Sequence, residues 1–135
     1  MPAPSRWMIR CSFIYLLAGF IIGALMLISK VYPTYAWVWA LLPIHIEILI
    51  FGWIIQFTMG TAYWILPRFL EDKSRGNTSV ANNMVLILNS GILINILTYL
   101  HFFNYRFTIL GRSLEVLSVI LFIILHWKRA VSYRS

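Results

Sequence analysis

Four apolar runs, each long enough to cross a lipid bilayer, take up nearly the whole of this chain. A helix rises about 1.5 Å per residue, so about 20 apolar residues span the hydrocarbon layer. The first run covers residues 7–29 and is interrupted only by Arg10. The second covers residues 35–66 and contains His45, Glu47 and Gln56. The third and fourth cover residues 80–103 and 107–127. The only strongly polar connection runs from Arg68 to Ser79, and the other two are short. Short connections place successive helices side by side and antiparallel. The expected fold is therefore all-α. It is one transmembrane domain over residues 1–135, an integral membrane four-helix bundle of up-down topology.

The composition excludes the soluble alternative. Hydrophobic residues make up 61% of the 135 and charged residues 11%, against about 25% charged in a soluble domain. A chain of this size has too little interior to hide that much apolar surface. A net charge of +7 raises the question of nucleic acid. The basic residues, however, sit in short clusters between apolar runs, where they act as topology signals, so no nucleic-acid partner is expected. The single Cys11 leaves no intrachain disulfide and no cysteine-based zinc or iron–sulfur site. A cleaved signal peptide would have an apolar core of roughly 7–15 residues followed by a small-residue site. The first run is longer and lacks that site, so it is expected to be a retained helix.

Orientation follows from the lysines and arginines. Arg6, Arg10, Arg68, Lys73, Arg75, Lys128, Arg129 and Arg134 fall on one side, and Lys30, Arg106 and Arg112 on the other. The positive-inside rule then puts both termini and the long connection in the cytoplasm. Tyr32, Tyr35, Trp37 and Trp39 form an aromatic belt on the outer side.

Ionisable residues inside a membrane are costly, which makes each a functional candidate. His45, Leu49, Gly52, Gln56, Gly60, Tyr63 and Pro67 recur at spacings of three and four, on one face of the second helix. The glycines allow close approach of either a flat cofactor or a neighbouring helix. Pro43 lacks a backbone donor and should kink the helix beside His45. His101, near the outer end of the third helix, falls within roughly 3–6 Å of the depth of His45. Two imidazoles at one level can ligate a low-spin haem iron, so His45 and His101 are candidate iron ligands. The alternative is a cross-bundle hydrogen bond for His45 and an interfacial place for His101. Arg106 and Arg112 could hold haem propionates, or anchor headgroups. Arg112 also stands three residues before Glu115, close enough to neutralise it. Glu47, two residues from His45, must face the opposite side of the helix. Gly19 and Gly23 form a G-x-x-x-G packing signal with Tyr15 on the same face. His126 lies at the cytoplasmic end, too far across the bilayer to join the other two histidines.

The run from His45 through Gly52-Trp53, Gly60 and Tyr63-Trp64 to Pro67-Arg68 resembles the second-helix region of heme-copper oxidase subunit I. The likeness is to the cbb-type oxidase and nitric oxide reductase branch, and to short subunit-I-like membrane proteins. It covers only residues 45–68. The resemblance implies that His45 is an axial ligand of haem b. It implies nothing for His101, because the family's partner ligand lies on a later helix that this chain lacks. The large subunits have twelve helices and six metal-ligating histidines. With four apolar runs and three histidines, this chain cannot build a haem–copper centre and is not expected to be catalytic alone.

Two functions are therefore expected. One is a b-type haem protein that carries electrons in or beside a respiratory or related redox complex, with His101 or a second copy's histidine completing the iron site and quinone as a possible donor. The other is a cofactor-free structural or assembly subunit. Its partners would be lipid and the other subunits of the complex, or a second copy of itself. A bacterial inner membrane is the expected location. A transporter is disfavoured by the lack of inverted repeats and broken helix pairs.

Overall fold

The computed structural model describes residues 1–69 and 75–131. Lys73 and Arg134, used above for orientation, lie outside the described residues. Among the described residues, four helices are long and apolar enough to cross a membrane: α1 (Ala3–Val31), α2 (Pro33–Ile65), α3 (Thr78–Tyr99) and α4 (Phe107–Val131). No strand occurs among the described residues.

Prolines set the boundaries of α1 and α2. Pro4 and Pro33 stand in the first turns of α1 and α2, where the missing N–H has no helical partner to lose. A residue before proline is pushed out of the helical region. Tyr32 before Pro33 (ψ 92°) and Leu66 before Pro67 (ψ 141°) are accordingly extended and end α1 and α2. The side chain of Asn77 accepts from the amides of Ser79 and Val80 at 2.9 and 3.3 Å and caps α3.

The second helix is not uniform. It opens as a tight 3₁₀ stretch (Pro33–Leu41), becomes α-helical over Leu42–Glu47, widens to a π-helix over Ile48–Ile55 and returns to α over Gln56–Ile65. Pro43, which cannot donate to the ladder, sits just after the tight stretch. The wide turns follow directly after His45 and Glu47; such irregularities recur at functional positions in helices.

The bundle has its apolar side chains outside and much of its polarity inside. Leu17, Ile21, Ile28, Ile65, Leu86, Ile109 and Ile124 are exposed, whereas Ser5, Ser12, Glu47, Gln56, Asn95, Glu115 and Ser118 are buried. A solvent of hydrocarbon explains this distribution and water does not. An apolar cluster of Met8, Met59, Tyr63, Ala81, Met84, Val85, Leu88 and Ile92 fills the interior toward the beginning of α1 and the end of α2.

The helix crossings depend on small residues. A Cβ on Gly91 of α3 would lie 2.8 Å from the carbonyl oxygen of Gly111 on α4. On the α1 side, Leu49 lies over Gly19, the Tyr15 ring over Gly52, and Met8 and Ile9 over Gly60. Ser5 donates to the carbonyl of Gly60 at 2.6 Å, and Ser118 to that of Met84 at 2.9 Å. At the end of α2 the Arg129 guanidinium donates to the carbonyls of Leu66, Pro67 and Tyr63 at 2.6, 2.8 and 3.2 Å. These carbonyls belong to the end of α2 and have no helical donor of their own.

Candidate functional site

The two polar faces of α2 lead to two different places. His45 turns toward α1. Its Nδ1 lies 3.0 Å from the carbonyl oxygen of Gly19, and its ring edge stands over Gly23, where a Cβ would meet Cε1 at 2.9 Å. A carbonyl oxygen can only accept, so Nδ1 carries the proton and a neutral ring has its lone pair on Nε2. His45 is half-buried, and its Nε2 is neither hydrogen-bonded nor sealed in the interior.

Glu47 faces the other way, as a two-residue offset requires. Its Oε2 accepts from Arg112 Nη2 at 2.6 Å, and its Oε1 from Asn95 Nδ2 at 3.2 Å and Arg112 Nη1 at 3.3 Å. Glu115 Oε1 accepts from Asn95 Nδ2 at 2.8 Å, and Oε2 from Arg112 Nη1 at 2.8 Å. The Tyr99 hydroxyl lies 3.1 Å from Arg112 Nη2 and accepts from it. The Phe51 ring covers the guanidinium, 4.7 Å from centroid to Cζ. Glu47 and Glu115 are each 1% exposed and Asn95 is fully buried, while the Arg112 side chain is 39% exposed. This cluster ties α2, α3 and α4 together at one level.

Among the described residues no hydrogen bond, ion pair or ring contact joins the haem residues read from the sequence to one another. His101 lies beyond the end of α3, which stops at Tyr99 and not at residue 103. It is exposed, in the left-handed region at φ 63°. No hydrogen bond or ring contact joins it to His45 among the described residues. Gly52 and Gly60, which could have admitted a flat ring, are covered by Tyr15 and by Met8 and Ile9 of α1. Arg112 is engaged by Glu47 and Glu115, and Arg106 is exposed on the connection before α4. His126 hydrogen-bonds the Phe122 carbonyl at 2.7 Å and stacks on the Phe122 ring. No group of three or more histidine, cysteine or acidic side chains placed to hold a metal ion occurs among the described residues.

As a haem ligand, His45 fits in one respect. The His45 imidazole has the held Nδ1 and free Nε2 that a metal-bound histidine has. Among the described residues no second histidine contacts His45, and Arg112 is ion-paired to the two glutamates.

Sequence reasoning missed the partnership of Arg112 with Glu47, because it crosses between helices far apart in the chain. It also missed the central place of Asn95 and the role of Tyr99. The signal for Asn95 was a strong hydrogen-bonding side chain inside an apolar run. Comparison with protein families, with curated proteins and with solved structures returns no match.

Proposed function

We propose that this chain is a half-site for b-type haem in a redox membrane, with His45 as the axial ligand that it contributes. The supporting observation is the His45 ring, clamped at Nδ1 by the Gly19 carbonyl and open at Nε2. The second ligand comes from another chain, in the simplest case the His45 of a second copy. Bound there, the haem would supply a one-electron carrier. This chain's residues fix the tautomer and orientation of the imidazole, and Gly23 leaves room for its ring. The reading includes an up-down bundle with both termini cytoplasmic, in a bacterial inner membrane, beside a respiratory or related complex with quinone as a candidate donor. A pyridine-haemochrome spectrum with iron quantification tests it. One haem per two chains is expected, lost on His45→Ala; purified protein without haem overturns the proposal.

A second reading has its own support. Tyr15, Met8 and Ile9 already fill the glycine faces of α2, and Arg112 is ion-paired to both glutamates. These features favour a cofactor-free structural or assembly subunit. In that case His45→Ala leaves every spectrum unchanged and alters only the yield of the complex.

A further inference from the structure

The Glu47–Glu115 cluster is one positive charge short. Arginine stays protonated in proteins, so Arg112 supplies one charge against two carboxylates. Asn95 and Tyr99, the other polar partners, are neutral. Among the described residues no other cation is ion-paired to the cluster. His45 on α2 points to α1, the Tyr15 hydroxyl of α1 donates to Asn89 at 3.1 Å, and Arg106 is exposed on the connection before α4. With both carboxyls ionised, a net negative charge would be buried within the membrane-spanning helices, at high cost.

A second observation points to what is missing. Asn95 Oδ1 is fully buried and has no donor, while Nδ2 of the same amide serves both glutamates. The side-chain amide has an acceptor and a donor end that a half-turn exchanges. As placed, Oδ1 lies on the Gly111 side; turned over, the amide would present this acceptor to a carboxyl O–H. A bound metal cation fits less well. All four carboxylate oxygens already accept N–H donors, and two carboxylates fall short of the six or more oxygens that calcium takes.

We infer that Glu47 and Glu115 form a proton-binding site that holds one proton between them and makes the cluster with Arg112 neutral. The inference does not depend on haem. Arg112, partly exposed, and the half-buried Tyr99 hydroxyl bonded to it connect the site to the surface.

Infrared spectroscopy of the wild-type protein in lipid vesicles at neutral pH, with ¹³C-labelled glutamate, reads it directly. One protonated carboxyl per chain is expected, with a carbonyl stretch apart from the carboxylate bands and a shift in heavy water. Glu115→Gln and Glu47→Gln should each abolish the band, because the remaining carboxylate is then balanced by Arg112. A wild-type spectrum without a protonated glutamate overturns the inference, and so do carboxylate bands that move when sodium is replaced by choline. The wild-type spectrum decides even if a variant fails to fold.

Discussion

Gly91→Ala tests the close crossing of α3 and α4. The new Cβ would stand 2.8 Å from the carbonyl oxygen of Gly111, 3.0 Å from Cγ of Glu115 and 3.2 Å from the amide nitrogen of Glu115. Ordinary contact begins at 3.4 Å, and two of these three atoms are backbone. No rotamer change relieves them, so α3 and α4 must part by about half an ångström. A gap of that size forfeits about a quarter of the dispersion energy of each contact along the seam. It also stretches the 2.8 Å bond from Asn95 to Glu115. Overpacking of this kind costs about 1–3 kcal/mol, and the backbone contacts place Gly91→Ala in the upper half. Reversible unfolding in mixed detergent, followed by circular dichroism, measures it. Ser90→Ala, at the exposed neighbouring position, is the control and should stay within about 0.5 kcal/mol. If Gly91→Ala unfolds with the control, the close crossing is not what holds α3 to α4.

Other substitutions probe the remaining polar contacts. Arg129→Leu leaves the carbonyls of Tyr63, Leu66 and Pro67 without their donor; a loss of about 2–3 kcal/mol is expected, with faster amide exchange in the last turn of α2. Gln56→Leu should be neutral or stabilising, because both amide atoms of Gln56 are buried without partners and an apolar side chain removes that cost; a clear loss in the same unfolding assay would contradict the reasoning. His101→Gly relieves a left-handed backbone that suits glycine. It should raise stability or leave it unchanged and keep any haem, whereas haem lost with His101 would make His101 the second ligand.

The membrane architecture was legible in the residues because hydrocarbon imposes one strong requirement, a long apolar run, on every helix. Helix ends were nearly as legible, since Pro33 and Pro67 act on their immediate neighbours whatever the rest of the chain does. The end of α3 was not. Leu100 through Phe103 are as apolar as a helix in lipid, and only the turn at His101 shows that the chain has left the helix. The opposed directions of His45 and Glu47 also followed from helical spacing alone.

Tertiary structure decided what those directions meet. The glycine stripe of α2 could have faced a cofactor or a helix, and periodicity does not distinguish the two. The Tyr15 ring over Gly52 and the Gly19 carbonyl at His45 put α1 there. Arg112 and Glu115, three residues apart, were a local pair in the sequence. Glu47, 65 residues from Arg112, joined them only through the packing of α2 against the other two helices. Local spacing is fixed by the period of one helix. Which charges share a membrane interior depends on how the helices pack, and from that packing comes the unequal charge of the Glu47–Arg112–Glu115 cluster.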